Sequence, residues 1–344
     1  MSTTLLNPWD VRETDFPVAG TPVEQLHFLL NYAVLAPSVH NSQPWLFKID
    51  DDIVELYADR TRALPVVDPD DRELTISCGA ALLHLRLALL HFGYAGTIVT
   101  LPDAYDPDLL ARLHLGNTRD TAPEEHALFD AIGLRRTNRQ AFEQRAVPAE
   151  VIIALQEAAH VEGAWLSIVQ DEEERNAVAD LIALGDQVQW ANKHFRRELA
   201  AWTRSSRNRR RDGIPGNALS FSNMIAQASL RAGRTFNLDN GQAASDRQLA
   251  TGSPVLAVLG TDGDGGDGAY DWLMAGQALA RVLLYARSQG VWASFLNQPI
   301  EVPEVRLMLH NIIERGGSPQ QLLRMGYGPE VSPTPRRGVC EVLL

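Results

Sequence analysis

The chain has 344 residues, with 31 Lys and Arg against 43 Asp and Glu, a formal net charge of −12, and two cysteines. Its 45% hydrophobic and 22% charged content excludes a disordered chain, and its length suits one large domain or two of roughly 150 residues. The acidic balance disfavours nucleic acid as a partner, and Cys78 and Cys340, with no Cys-x-x-Cys spacing, fit a reducing compartment rather than a disulfide scaffold.

Residues 1–20 read as an N-terminal extension; the start, MSTTLLNPWDVRETDF, lacks the basic and then apolar pattern of a signal peptide. Residues 21–36 open with Thr, Pro and then Glu, a helix-start signature. Trp45 begins an alternating strand pattern, WLFKI. Gly79 and Gly93 then bracket a helical pattern in which Leu82, Leu85, Leu89 and Phe92 recur at helical spacing. His84, Arg86 and His91 make residues 80–92 too polar and too short to span a bilayer. Cys78, at this helix start, reads as a buried thiol. Residues 102–123 are turn-rich around one strand, 109–115.

The pattern then returns. Residues 147–160 (VPAEVIIALQEAAH) repeat the helix start, and Trp165 begins another strand, WLSIV. A long helix near 172–202 carries Trp190, Phe195 and Trp202, which read as packing residues. It leads into the polar stretch 203–253, whose length marks a lid, a binding loop or a disordered connection. Arg204, Arg207, Arg209, Arg210 and Arg211 read there as a solvated edge, or as an attractor for a nucleotide phosphate. Pro254 opens the strand PVLAVLG, and TDGDGGDG reads as a surface loop rather than a calcium site. Gly276 and Gly290 then bracket a second helix, with Leu279, Val282, Leu283 and Ala286 at helical spacing. Each helix ends on a glycine suited to a left-handed cap. The shared order of helix, strand, helix and return segment implies an internally duplicated α+β fold. Its halves would be residues 21–130 and 131–344, with an insertion at about 203–253.

Four segments carry chemistry. Arg135-Arg136-Thr137-Asn138-Arg139-Gln140-Ala141-Phe142 offers guanidinium and hydroxyl donors suited to a phosphate. Pro37-Ser38-Val39-His40-Asn41-Ser42-Gln43-Pro44-Trp45 is a Pro-framed loop of small hydrogen-bonding residues. Ala293-Ser294-Phe295-Leu296-Asn297-Gln298-Pro299-Ile300-Glu301 is a short apolar strand running into a Pro-limited turn. Gly326-Tyr327-Gly328-Pro329, followed by Pro333-Thr334-Pro335-Arg336-Arg337, is a turn-rich tail that delivers two more arginines. The histidines have no metal-ligand spacing.

Taken together, these segments resemble the motifs of the nitroreductase-fold flavoproteins: an Arg-Arg-Ser-x-Arg-x-Phe run, a Pro-Ser-x-x-Asn-x-Gln-Pro-Trp loop, a flavin-edge loop and a Gly-Tyr-x-Pro…Arg-Arg tail. In that family FMN sits at a homodimer interface, with the arginines and edge loop from one subunit and the Pro-Ser loop from the other. Here the second half has the arginines but reads Ala158 to Trp165 where the loop would stand. The first half keeps the loop and lacks the arginines. This layout resembles the fused Acg-like group, in which one monomeric chain mimics the dimer and a lid covers the pocket.

The resemblance implies FMN held by Pro37, Ser38, Val39, His40, Asn41, Arg135, Arg136, Thr137, Arg139, Leu296, Asn297, Gln298, Arg336 and Arg337. It implies no catalytic side chain, because the flavin carries the hydride. NAD(P)H would be co-substrate, and a nitroaromatic, quinone or similar small molecule the acceptor. A cytoplasmic monomer without membrane or metal is expected. Asn297-Gln298 stands where simple relatives often carry Glu-Gly or Gly-Gly, and these bulkier side chains favour a second reading, an FMN-storage protein with a sealed pocket. The run Asp68-Pro69-Asp70-Asp71-Arg72-Glu73 fits the fused group without an assigned role.

Overall fold

A computed structural model describes residues 7–204, 210–216, 239–263 and 267–344. Helix α1 (Pro22–Ala33) begins as its sequence predicts. The Thr21 hydroxyl accepts from the Glu24 amide at 3.3 Å, and the Glu24 carboxylate accepts from the Thr21 amide at 2.8 Å, a reciprocal cap that satisfies two otherwise orphaned donors. Strands β1 (Trp45–Asp50) and β2 (Ile53–Ala58) form a hairpin, followed by the long helix α2 (Arg72–His91). Strands β3 (Tyr94–Thr100) and β4 (Leu109–Thr118) and helix α3 (Pro123–Ile132) complete the first half. The four strands form one antiparallel sheet in the order β1-β2-β4-β3.

The second half starts with α4 (Ala149–His160) and β5 (Trp165–Ile168). The helix expected near 172–202 is two helices, α5 (Glu172–Ala191) and α6 (Lys193–Trp202). Asn192 breaks it: its backbone is extended and its side chain accepts from the His194 amide at 2.9 Å, capping α6. The short strands β6 (Thr203–Arg204) and β7 (Ile214–Pro215) pair in parallel, and α7 (Asp239–Thr251) follows. Then come β8 (Val255–Thr261), α8 (Ala269–Ser288), β9 (Trp292–Phe295), the one-turn α9 (Gln298–Glu301), α10 (Pro303–Ile312) and β10 (Ser318–Gly326). A second antiparallel sheet runs β5-β8-β10-β9.

The two glycine-bracketed helices meet face to face. They begin at Arg72 and Ala269, well before the expected starts, so Gly79 and Gly276 fall at matching depth inside them. The glycines are there because the helices touch through their backbones. A Cβ on Gly79 would stand 2.2 Å from the Leu273 carbonyl oxygen, and one on Gly276 would stand 2.0 Å from that of Ile76. The closing glycines do adopt the left-handed conformation, with φ of +84° at Gly93 and +74° at Gly290. By length and composition α2 could cross a membrane, yet 83% of its most apolar window is buried inside the protein.

The halves share their interior. Leu273, Ala280 and Leu284 of α8 belong to the apolar cluster of the first half, and Ile76 of α2 to that of the second. The C-terminal end crosses to the first half as well. The Phe47 amide donates to the Val342 carbonyl at 2.8 Å and the Leu344 amide to Phe47 at 2.9 Å, so the C-terminus extends the first sheet. The Asn138 amide donates to the Ala293 carbonyl at 3.0 Å, which sets the arginine run beside β9.

Candidate functional site

The loop after α1 is held in a costly shape. His40, Asn41 and Gln43 all have positive φ, at 50°, 53° and 53°. Asparagine tolerates this region, but histidine and glutamine pay roughly 1 kcal/mol or more for it, so the surroundings must hold them there. The Ser38 hydroxyl accepts from the Gln43 amide at 3.0 Å. Asn41 donates to the carbonyls of Gly213 at 3.0 Å and Pro335 at 3.1 Å, and accepts from Arg336 at 2.7 Å. One side chain thus joins the first half, the β7 segment and the C-terminal tail.

Behind this loop lies a cavity of about 250 Å³, whose lining includes Pro37, Ser38, Val39, His40, Asn41, Thr137, Arg139, Asn297, Gln298 and Arg336. Segments far apart in sequence therefore share one cleft. Arg336 and Arg135, both 4% exposed, each reach the Leu35 carbonyl at 3.5 Å. Each keeps a buried Nε without a partner, and no carboxylate lies within 4 Å of Arg135, Arg139 or Arg336 among the described residues. Burial, and then neighbouring Arg136, lowers the Arg135 pKa to about 9. Burial likewise lowers that of Arg336, with Arg135 and Arg136 adding to the effect. Burial and then Arg139 hold His40 at about 4, so it faces the cavity as a neutral ring. Buried guanidinium groups left unneutralised by the protein make a site suited to a bound anion.

Four predicted site residues stand outside the lining. Arg135 lies behind Arg336, at the shared Leu35 carbonyl. The Arg136 guanidinium stacks 3.7 Å from the Trp9 ring centre and donates to the Arg135 and Gly133 carbonyls. Leu296, 3% exposed, packs in the apolar cluster with Val258 and Ile300. Arg337 donates to the Gln43 carbonyl at 3.0 Å and lies 3.7 Å from Asp59, so it braces the loop from outside.

The cavity also contains residues that the sequence reading left unassigned. Glu73 accepts from Asn297 at 3.0 Å and from Arg72 at 3.1 Å; burial, and then Glu301, raises its pKa to about 8. Burial raises that of Glu301 to about 7. Asp186, Gln189, Asp246 and Gln321 add polar groups to the wall and Leu199 and Ile214 apolar ones; Trp190 and Phe195, read from the sequence as packing residues, do pack together but also face the cavity. Glu73 lies in the acidic run noted above and Glu301 ends the segment that begins at Ala293, each without an assigned role, whereas no motif marks Asp186 or Asp246. Arg204 is not solvated as expected: it pairs with Asp212 at 3.1 Å, and Asp212 also pairs with Arg62. Arg207, Arg209 and residues 264–266 of the glycine–aspartate loop lie outside the described residues.

Two antiparallel sheets packed by helices, with a cleft lined by Arg139 and Arg336 under a strained loop, define an α+β protein with a site suited to an anionic ligand. No family model matches the chain. Two Mycobacterium tuberculosis H37Rv proteins, each named "Putative NAD(P)H nitroreductase", align along nearly its whole length. Rv3131 is 32% identical over 96% of this chain and 93% of its own, and acg is 31% identical over 90% and 92%. The chain belongs to this NAD(P)H nitroreductase family, with acg among its relatives. Among solved structures, the FMN and NADPH-dependent nitroreductase NfnB from Sphigopyxis sp. strain HMH aligns at 18% identity and a TM-score of 0.41, covering 62% of this chain and 96% of its own.

Proposed function

We propose that the cavity binds FMN and that the chain is an NAD(P)H-dependent oxidoreductase of nitroreductase type, acting on a nitroaromatic, quinone or similar acceptor. The observation that carries this reading is the buried cation set: Arg135 and Arg336 keep unpartnered Nε atoms and, like Arg139, meet no carboxylate. A phosphate dianion offers what these groups lack. Arg336 would hold it, with Thr137 beside it and Arg135 adding positive charge from behind. Ser38 and Asn41 would bind from the first half of the chain and the Gln298 segment from the second. Arg139 would favour the negative charge that reduction places on the ring. When bound, the flavin supplies two-electron chemistry, taking hydride from a nicotinamide and passing it to the acceptor. Both halves of such a site come from one polypeptide, so the internally duplicated chain would act as a monomer; of the stretch 203–253 expected as its lid, residues 205–209 and 217–238 lie outside the described residues.

A second reading, FMN storage, is favoured by how α5 packs on the Gln298 segment. A Cβ on Gly185 would stand 2.8 Å from the Gln298 carbonyl carbon, and the Gln298 side chain is bonded to both Asp186 and Asp246. Anaerobic NADPH separates the two. Bleaching of the flavin on a turnover timescale supports the enzyme, whereas persistent colour with intact photoreduction supports storage. A colourless protein that cannot be reconstituted with FMN refutes both.

A further inference from the structure

Four carboxyl groups line the cavity without a task in the oxidoreductase reading above, and two of them, Asp186 and Asp246, share a donor. Asp186 on α5 is 2% exposed, and Asp246 on α7 lines the same cavity. The Gln298 amide donates to both, at 3.2 Å and 2.8 Å, and Gln242 donates to Asp246 at 2.9 Å. Both carboxyls accept from the one Gln298 Nε2 atom, so they stand side by side around it. Asp186 Oδ2 is buried and receives no donor from the protein. Two adjacent carboxylates repel, and a proton held between them removes that repulsion and satisfies the orphan oxygen.

The surroundings keep this proton in place at neutral pH. Glu301 of α9 adds negative charge near Asp186, and Arg324 of β10 adds positive charge near Asp246. No Lys or Arg forms an ion pair with either aspartate among the described residues. Burial, and then Asp246, raises the Asp186 pKa to about 8. Trp190, Phe195 and Leu199 wall the cavity with apolar surface, so a proton used there is best delivered by a side chain. Glu301 lines both this cavity and a neighbouring one of about 800 Å³, which gives a route for replacing the proton.

We propose that the Asp186–Asp246 pair is the proton donor of this site, passing its shared proton to the substrate atom that takes up the electron pair. This rests on the function proposed above. For a quinone acceptor, hydride from NAD(P)H reaches the substrate by way of the cofactor and supplies two electrons and one hydrogen. The carboxyl O–H bond breaks as an O–H bond forms on the quinone oxygen, giving the hydroquinone and leaving two carboxylates. Water then returns one proton to the pair, so one NAD(P)H, one proton and one quinone become NAD(P)⁺ and hydroquinone.

The test uses the full flavin-loaded chain, Asp186→Asn and Asp246→Asn, NADPH as reductant and 1,4-benzoquinone as oxidant under anaerobic conditions. Each variant should slow reoxidation by about 100-fold more than it slows reduction, the scale of a lost general acid. The solvent-deuterium effect on reoxidation should disappear with it. The cofactor-free native chain should show a protonated-carboxyl infrared band, separate from those of Glu73 and Glu301 and missing from the spectrum of either variant, that vanishes as pH rises through about 8. Reoxidation and its isotope effect unaltered in both variants, or a native chain without that band, would overturn the proposal. A native chain that NADPH cannot reduce overturns the underlying function, and the band then still reports whether the pair exists.

Discussion

Arg336 joins the Ser38–Gln43 loop to the C-terminal tail through Asn41 while burying a cation beside the cavity. Replacing it with alanine removes a charge-assisted contact worth about 1.5–3 kcal/mol, so FMN should bind about 10- to 100-fold more weakly in a fluorescence-quenching titration. Arg336→Lys should recover only part, because it keeps the charge and loses the fork. The titrating groups make a second prediction. In the folded state Glu73 and Glu301 have pKa values near 8 and 7, above their ordinary carboxylate range, so the native protein holds protons that the unfolded chain has released. Their contribution is complete below about 4.5 and is lost as pH rises to about 8. His40 and His84 are held at about 4 and 3, so their contribution is present above about 6.5 and lost as pH falls. Melting temperature of the cofactor-free protein should therefore peak in mildly acidic buffer, and Glu73→Gln should flatten the alkaline limb. At this scale the arginine run and the Pro-Ser loop were legible because their residue types are unusual. Asp186 and Asp246 were not, since an aspartate on a polar helix looks the same whether it faces solvent or a cavity.

Among the elements, the crossing of α2 and α8 tolerates the least change. The backbones meet at Gly79 and Gly276, where a neighbouring helix carbonyl occupies the space of a side chain. Gly276→Val should lower stability by about 3 kcal/mol or more, seen as a lower urea midpoint with an unaltered slope, because neither helix can withdraw without opening both cores. The sequence marked the two helices and their closing glycines through apolar periodicity. It placed Gly79 and Gly276 at the starts rather than at the crossing, because helix-helix contact leaves no period of its own. α7 was hidden for another reason: its sequence, DNGQAASDRQLAT, has no apolar stripe, and it stands by packing against α5. Strand β10 escaped notice because its apolar LL and M are interrupted by Gln320, Gln321 and Arg324, which are buried and bonded inside.

For the whole molecule, the central question is whether one chain makes a complete site. α2 and α8 each enter the other half's core, and the C-terminus extends the first sheet. Glu162, 3% exposed, receives both Arg86 of α2 and Arg281 of α8. Light scattering should accordingly give the monomer mass, 37.9 kDa, across a wide concentration range. A dimer buried through the Pro37–Trp45 loop, in contrast to a weak one through other surfaces, would mean that a second copy completes the site. By itself the sequence determined the α+β class, the repeated helix-strand order and the residue types able to hold a phosphate, because periodicity, caps and charge are local properties. Only the tertiary structure decided which arginines face the cavity, which brace its loop, and which carboxyls share a proton. Those outcomes depend on burial and on distances between residues more than a hundred positions apart, and no local pattern encodes them.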